Sequence, residues 1–320
     1  MIRTVFLGTP QFARHHLMAL LNSTDFEVVG VVSQPDRPAG RKMLLQPSPV
    51  KSLAIEKNIP TITPVSVNQS EVLNQIQKWN AEVAVVVAFG QLMGDQFLSM
   101  FPNKVVNVHA SLLPRWRGAA PIQRAIMEGD IESGVALQVM VKKLDAGDII
   151  GVRRVAITEQ MDAMVLHDQL MELGCQLIKD ELVRYFRGEI FPVSQDEQFV
   201  TYAKKIDKSE SAINWTMTAT QIHQRMRGLV MGPGSFCGFR GKRLKLIQAE
   251  VVDRPTDVTQ IGKVAELVPG EIRVYCGEKQ LRLIHVQPES KPKMSIDDFV
   301  RGYQISEGED LNIKSTMVEK

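Results

Sequence analysis

The first half of the chain alternates short apolar runs with segments of helical periodicity. Four of the apolar runs lack the polar alternation of a half-exposed strand, at Ile2–Leu7, Val28–Val32, Val83–Ala88 and Lys104–Val108. Such runs are typical of strands that are buried on both faces, so they predict a mostly parallel sheet. Helical patterns lie between them, at Gln11–Leu21, Val50–Lys57 and Asn68–Trp79. The pattern predicts an α/β domain with helices on both faces, whose ligands bind beyond the C-terminal strand ends.

The pattern changes further along the chain. Two more strands, Val135–Val141 and Ile149–Ile157, precede one long helix from about Met161 to Phe186, and the segment Gly188–Thr201 has little periodicity. From Tyr202 onward, short β-like runs separated by Gly, Pro and charged turns predict a small β-barrel. These runs lie at Leu244–Ile247, Ile272–Cys276 and Leu281–Val286, after a helix at about Thr218–Leu229. We therefore expect a first domain at 1–187, a linker at 188–206 and a second domain at 207–320.

Composition limits the class of protein. A length of 320 residues exceeds the usual domain of roughly 100–200 residues, which agrees with two domains. The 44% of hydrophobic and 23% of charged residues are typical of a soluble globular protein, and the net charge of +2 does not by itself indicate a nucleic-acid partner. The three scattered cysteines favour free thiols in a reducing compartment. No signal peptide or run near the about 20 apolar residues of a membrane span is present, so we expect a cytoplasmic, unanchored protein.

Three loops follow the predicted strands and differ from common cofactor loops. The loop after Leu7, G-T-P-Q-F-A, lacks the later glycines of a dinucleotide fingerprint, so we interpret it as a simple turn into a helix. The long loop after Val32 is rich in Pro and Gly and carries Arg41 and Lys42. These basic side chains either bind phosphate or simply face solvent. The loop after Ala88 begins with Phe89, which either lines a flat aromatic ligand or packs in the core.

The strongest chemical signal follows the strand that ends near Val108. From Asn107 the chain reads N-V-H-A-S-L-L-P-R-W-R-G-A-A-P, so Asn107 and His109 lie on the same face of a strand. A carboxamide beside an imidazole can stabilise an oxyanion and move a proton, as attack on an acyl carbon requires. Asp145, in L-D-A-G-D about 36 residues later, could orient the histidine. The histidines show no metal-ligand spacing, so we expect no metal.

A second signal is the distribution of charge in the C-terminal part. Between Ser211 and Ala249 there is no Asp or Glu. The basic residues of this stretch are Arg225, Arg227, Arg240, Lys242, Arg243 and Lys245. Such a stretch predicts either a positive face for nucleic acid or ordinary solvent-facing charge.

These residues together resemble a known family. The chain is similar, essentially end to end, to the methionyl-tRNA formyltransferases, through G-T-P-x-F-A, Q-P-D-R-P-A-G-R, P-S-P-V-K, the N-V-H-A-S-L-L-P-R-W-R-G-A-A-P-I segment, L-D-A-G-D, Y-A-x-K-I-x-K and I-N-W. The resemblance implies a Rossmann-like N-terminal domain and an OB-like C-terminal domain that helps to hold tRNA. It also implies formyl transfer from 10-formyltetrahydrofolate to initiator methionyl-tRNA, and we expect a monomer.

The resemblance assigns roles to particular positions. The implied catalytic trio is Asn107, His109 and Asp145. The implied donor-binding residues are Phe89, Gly90, Leu92, Ser111, Leu112, Leu113 and Pro114. The implied tRNA-binding residues are Arg41, Lys42, Arg240, Lys242, Arg243 and Lys245. Two segments depart from the family pattern: Met43 and Leu44 replace lysine-rich positions, and Arg227–Gly234 lacks the family's tryptophan.

Direct attack by the methionyl amine through a tetrahedral intermediate would then account for the trio. Two other functions are compatible with parts of the pattern. A formyltransferase for an amino-sugar nucleotide or glycinamide ribonucleotide would keep the trio but would not need the basic stretch. A tRNA-binding protein without activity would need no intact trio.

Overall fold

The computed structural model describes residues 1–39, 43–268 and 271–313. Arg41 and Lys42, which were predicted to bind tRNA, lie outside the described residues. None of the described helices is long and apolar enough to cross a membrane.

The N-terminal part alternates strands and helices as the sequence predicts. Its strands are β1 (Ile2–Gly8), β2 (Phe26–Val32), β3 (Arg37–Ala39), β4 (Leu44–Gln46), β5 (Thr61–Ile62), β6 (Val83–Val87), β7 (Val105–His109), β8 (Arg117–Gly118), β9 (Glu132–Val139) and β10 (Ile149–Ala156). Its helices are α1 (Gln11–Leu21), α2 (Pro49–Glu56), α3 (Ser70–Lys78), α4 (Asp95–Met100), α5 (Pro121–Met127), α6 (Ala163–Leu177) and α7 (Val183–Phe186). The predicted long helix to Phe186 is interrupted by a π-helical turn at Ile178–Leu182.

The main sheet has the strand order β10-β9-β7-β6-β1-β2-β5. The strands β1, β2, β5, β6 and β7 are parallel, whereas β9 and β10 are antiparallel additions at one side. All five residues of β6 are buried, because V-A-V-V-V faces apolar neighbours on both sides of the sheet. The carboxyl ends of the parallel strands meet at one edge, which brings the loop after β6 and the end of β7 together.

The C-terminal part is a separate antiparallel sheet. The short strand β11 (Tyr202–Ala203) precedes it. Its elements are α8 (Ala219–Gly228), β12 (Ser235–Phe239), β13 (Lys242–Val252), β14 (Val264–Val268), β15 (Glu271–Tyr275), β16 (Gln280–Pro288), β17 (Met294–Ser295) and α9 (Ile296–Tyr303). Apart from β11, which pairs with β8, these strands join in the order β12-β13-β16-β15-β14, with β17 on β16. A buried core around Trp215, Leu244 and Phe299 packs beneath them. The predicted fold class, a mostly parallel sheet with flanking helices followed by a smaller antiparallel domain, is confirmed.

The chain divides into two compact units whose segments are not consecutive. The first unit comprises 1–121, 132–156 and 167–203, and the second comprises 122–131, 157–166 and the described residues from 204 onward. Two short segments that the sequence analysis gave to the first domain therefore group with the C-terminal part. The domain limits drawn from the sequence stay predictions.

A buried histidine makes the first unit sensitive to acid. The ring of His16 is fully buried, and its Nδ1 donates to the carbonyl of Phe12 at 2.7 Å. Its other nitrogen, Nε2, has no hydrogen-bond partner among the described residues. Burial lowers the pKa of His16 from 6.5 to about 4, against a smaller raising effect of the Phe12 carbonyl, while His15 and His167 lower it further. The folded protein therefore resists a proton that the unfolded chain accepts.

We expect His16 to reduce the free energy of unfolding by about 2 kcal/mol between pH 7 and pH 5. Its contribution to stability is fully present above pH 6.5 and is lost as the pH falls towards 4. Urea denaturation followed by circular dichroism at the two pH values measures the difference. His16→Leu should show a smaller difference than the wild type, whatever its absolute stability. An equal difference in both proteins would contradict the assignment.

Candidate active site

Asn107 and His109 are brought together at the carboxyl end of β7. This strand lies between β6 and β9, and Asn107 pairs with Val86 on one side and with Gln138 on the other. The alternation along β7 places the side chains of Asn107 and His109 on the same face. His109 is the last residue of the strand and is buried, whereas Asn107 is partly exposed.

Both ring nitrogens of His109 face protein groups. The Nε2 atom lies 2.9 Å from the carbonyl oxygen of Trp116, so this nitrogen bears a proton and donates it to that oxygen. The Nδ1 atom lies 3.6 Å from Oδ1 of Asp145, and both side chains are largely buried. The separation is too long for a hydrogen bond but close enough for charge interaction. The structure thus brings together the histidine and the carboxylate that the sequence predicts to act together.

The carboxylate of Asp145 is held at both oxygens. The backbone N–H of Gly118 donates to Oδ2 at 2.9 Å, and Nε2 of Gln138 donates to Oδ1 at 3.1 Å. The backbone of Asp145 has a φ of +49°, which is uncommon for a residue with a side chain. At Gly147, two residues on, an added Cβ would lie 1.7 Å from the carbonyl oxygen of Val139, so only glycine fits there.

The loop through β8 contacts both members of this pair. The carbonyl of Trp116 accepts from His109, and the N–H of Gly118 donates to Asp145. Strand β8 pairs in parallel with β11, and Arg117 N–H donates to the carbonyl of Thr201 at 2.9 Å. Gly118 has a φ of +123°, and a Cβ there would lie 2.8 Å from the carbonyl oxygen of Ala203. The loop is therefore held by His109 and Asp145 on one side and by the backbone near β11 on the other.

A second layer of polar contacts was missed by the sequence analysis. The guanidinium of Arg117 is fully buried, donates to Gln195 and lies 2.9 Å from a carboxylate oxygen of Glu197. The pKa of the Glu197 carboxyl is lowered, first by the hydrogen bond from Arg117 and then by that from Lys143. Gln195 and Glu197 belong to the segment that we interpreted as a linker. They carry no motif, so only their contacts in the structure reveal them.

A small surface pocket adjoins Asp145. Gln91–Met93 line one wall, and Gln138–Lys142 with Leu144–Gly147 line the other. Leu92, one of the predicted donor-binding residues, is exposed and lines this pocket, whereas Phe89 is buried in the core. The carbonyl of Phe89 accepts from the Thr9 hydroxyl and from the Gln34 amide, both at 3.1 Å.

The other predicted donor-binding residues have mainly structural contacts. Gly90, with a φ of +81°, follows Phe89 in the loop after β6. The hydroxyl of Ser111 donates to the carbonyl of Arg115, and Leu112 packs closely against Gly134. Leu113 is buried and precedes Pro114 through a cis peptide bond. Their role in binding a donor stays a prediction.

The basic residues of the C-terminal unit differ in their partners. Arg240 forms an ion pair with Glu309 at 2.7 Å and donates to the carbonyl of Tyr303. The guanidinium of Arg243 lies over the ring of Phe236, 4.5 Å from its centroid. Lys242 and Lys245 are exposed on β13, and neither has an acidic partner among the residues that the structure describes.

Two other arginines of the basic stretch also stabilise the unit. Arg225 lies 3.7 Å from a carboxylate oxygen of Glu210, and Arg227 donates to the carbonyls of Thr158 and Met161. Most arginines of the basic stretch thus have partners within the second unit. Among the described residues, no group of three or more His, Cys, Asp or Glu side chains could hold a metal ion.

Comparison with known proteins places these features in context. Residues 2–182 match the family described as Formyl transferase, and residues 205–304 match its C-terminal domain. The chain is 51% identical to the methionyl-tRNA formyltransferase of Bdellovibrio bacteriovorus, over 98% of the chain and 99% of that protein. It is 41% identical to that of a Sulfurihydrogenibium species, over 96% and 99%. Its fold is similar to the crystal structure of WlaRD, a sugar 3N-formyltransferase, with a TM-score of 0.67 and 19% identity over 91% of this chain and 99% of that one.

Proposed function

Because the chain belongs to the methionyl-tRNA formyltransferase family, we propose that it transfers the formyl group of 10-formyltetrahydrofolate to the α-amino group of initiator methionyl-tRNA. The product would support the initiation of translation. The observation that supports this reaction best is the placement of His109 against Asp145 at the carboxyl end of β7, on the same strand as Asn107.

The pocket beside Asp145 suits the folate donor. One wall is the apolar segment that contains Leu92 and Met93, which fits a flat ring. The other wall includes Asp145, so a donor bound there would have its formyl carbon near the trio.

Formyl transfer in this arrangement needs one bond to form and one to break. The uncharged amine of methionyl-tRNA attacks the formyl carbon, and the resulting oxyanion accepts hydrogen bonds from the amide of Asn107 and from a ring N–H of His109. The bond from the formyl carbon to N10 of the donor then breaks. A proton passes from the incoming amine to N10 by way of His109, and Asp145 stabilises the imidazole while it carries the extra proton.

The contact of His109 with Trp116 fits this proposal. In the observed arrangement the Nε2–H group donates to the Trp116 carbonyl at 2.9 Å. An oxyanion formed beside the ring would compete for this proton, and charge-assisted hydrogen bonds are about twice as strong as neutral ones. The Trp116 carbonyl therefore keeps the ring oriented before the reaction, and the Nε2–H group of His109 turns its hydrogen bond from this carbonyl to the oxyanion when charge develops.

The direct test supplies the purified protein with 10-formyltetrahydrofolate and one acceptor at a time. Charged initiator tRNA should yield formylmethionine after mild hydrolysis of the ester, whereas an amino-sugar nucleotide and glycinamide ribonucleotide should not be formylated. Formylation of either small acceptor in preference to the tRNA would contradict the proposed substrate.

The tRNA partner predicts a salt-dependent affinity. If Lys242 and Lys245 contact phosphates, their joint replacement by alanine should flatten the slope of log K against log salt by up to about two units. Arg240→Ala is the matched control, because it also removes a positive charge but one that is paired with Glu309. A salt titration of tRNA binding measures all three proteins.

Two outcomes would count against this interface. A wild-type affinity that does not change with salt would contradict tRNA binding through phosphates. A slope that changes with Arg240→Ala but not with the lysine pair would place the phosphate contacts at the turn between β12 and β13 and not along the exposed side of β13.

A further inference from the structure

The side chain of Gln195 holds the backbone that carries Asp145. Its Nε2 donates to the carbonyl of Asp145 at 2.8 Å and to that of Gly147 at 2.7 Å. Its Oε1 accepts from Nε and Nη2 of Arg117, at 3.0 and 2.8 Å. A glutamine amide has two donor hydrogens and two acceptor lone pairs, so these contacts use its whole capacity.

The contacts close a ring around the carboxylate. From Gln195 the ring passes to the buried side chain of Arg117, along the backbone to Gly118, and through the Gly118 N–H to Oδ2 of Asp145. It returns through the Asp145 carbonyl to Gln195. The residue before Arg117 is Trp116, whose carbonyl accepts from His109. One arginine thus lies between the two backbone groups that contact the histidine and the aspartate.

The backbone in this ring needs external support. Trp116 and Asp145 have φ values of +65° and +49°, which side-chain-bearing residues adopt only when surrounding contacts hold them. The hydrogen bonds from Gln195 are made to the carbonyls on either side of Ala146, where the chain turns away from Asp145. A small rotation of this turn would move the carboxylate away from His109, from which it is already 3.6 Å distant.

We propose that Gln195 is a positioning residue for formyl transfer, which acts by holding the Asp145 carboxylate in place beside His109. The inference rests on the proposed function, because it assumes the role given there to Asp145. Under this proposal, the part of the predicted linker that contains Gln195 contributes to the active site of the first unit.

The first experiment compares Gln195→Leu with Gln198→Leu. Leucine has nearly the size of glutamine but no polar group, so it removes these four hydrogen bonds and a longer one from Nε2 to Oε1 of Gln138, at 3.4 Å. Gln198 is exposed in the same segment, and its side chain makes no hydrogen bond among the residues that the structure describes. We expect Gln195→Leu to lower kcat by roughly 10- to 100-fold with KM for both substrates within about twofold, since an error of about 1 Å in positioning can cost 10²-fold. Gln198→Leu should behave as wild type.

The second experiment separates positioning from a general structural role. A residue that acts through Asp145 has little left to change once Asp145 is altered, so Gln195→Leu should reduce kcat of Asp145→Asn by less than about twofold. A full additional loss in the double variant would overturn the proposal. So would a wild-type kcat for Gln195→Leu.

A third variant keeps the test decisive if the leucine variant folds poorly. Gln195→Glu retains an acceptor for Arg117 but sets a carboxylate oxygen against the carbonyls of Asp145 and Gly147. We expect it to lose kcat as Gln195→Leu does, with a melting temperature closer to wild type, and an unchanged kcat would overturn the proposal. The proposed function is contradicted by different results: no formyl transfer by the wild type, or full activity of Asp145→Asn.

Discussion

His109→Ala should lower kcat for formyl transfer by roughly 10²–10⁴-fold, the usual contribution of a positioned acid–base group. The ring supplies an N–H group at the end of β7. On the same face of the strand, only the side chain of Asn107 also has an N–H group to offer. Binding of tRNA should stay close to wild type, because His109 is buried and its described partners are Trp116 and Asp145. Single-turnover kinetics with formylated product as the readout measure the loss.

His285→Ala is the matched control for this variant. His285 is partly exposed on β16 in the second unit, where its Nδ1 contacts the amide of Gln248. Its replacement should leave kcat unchanged. A His109→Ala protein that keeps more than about a tenth of the wild-type kcat would contradict the assignment of His109.

Asp145→Asn should reduce kcat by about as much, with little change in donor affinity. The substitution is nearly isosteric, but the new amide must direct its oxygen towards the Gly118 N–H if that hydrogen bond is to survive. Its NH₂ group then faces the Gln138 amide and His109, which lie at 3.1 and 3.6 Å in the wild type. A donor replaces a carboxylate exactly where the imidazole becomes charged, so the charged form loses its support.

Asp148→Asn provides the comparison within the same L-D-A-G-D segment. The backbone carbonyl of Asp148 accepts from the Val139 N–H, and its side chain lies near Tyr185, whose pKa is raised mainly by burial and further by Asp148. The described contacts of His109 and Asp145 do not include this carboxylate, so kcat should stay near wild type. Equal losses from Asp145→Asn and Asp148→Asn would show that the wrong carboxylate was chosen.

The sequence predicts the first sheet well because each of its main strands is a short, continuous apolar run. The V-A-V-V-V run of β6 and the pattern of α1 from Gln11 to Leu21 each contain enough residues to define their type. In the second unit, β12 was missed, because S-F-C-G-F is short, has no alternation and contains a glycine. Its burial depends on pairing with β13, where Ser235 lies opposite Leu246, and a local pattern does not show this pairing.

Site residues divide in the same way. Asn107, His109 and Asp145 stand in recognisable motifs, so the sequence was sufficient to nominate them. Gln195 lies 50 residues from Asp145, and its importance depends on side-chain contacts that no local pattern encodes. The same limit applies to the prediction of a positive surface. A count of charged residues from 211 to 249 includes Arg240 but not its ion-pair partner Glu309, which lies 69 residues away. The Arg41 loop remains a prediction of the sequence alone.

The pairing of β8 with β11 also bears on the order in which this protein matures on the ribosome. The N–H groups of Trp116, Arg117 and Ala119 bond to Thr201 and Ala203, roughly 85 positions later in synthesis. At about 5–20 residues per second, several seconds pass between the emergence of donor and acceptor. Nascent chains that stop before residue 201 can form the parallel sheet but leave these amides to water. We therefore expect the loop of residues 116–119 to acquire its native conformation late, after the core of the first unit has packed.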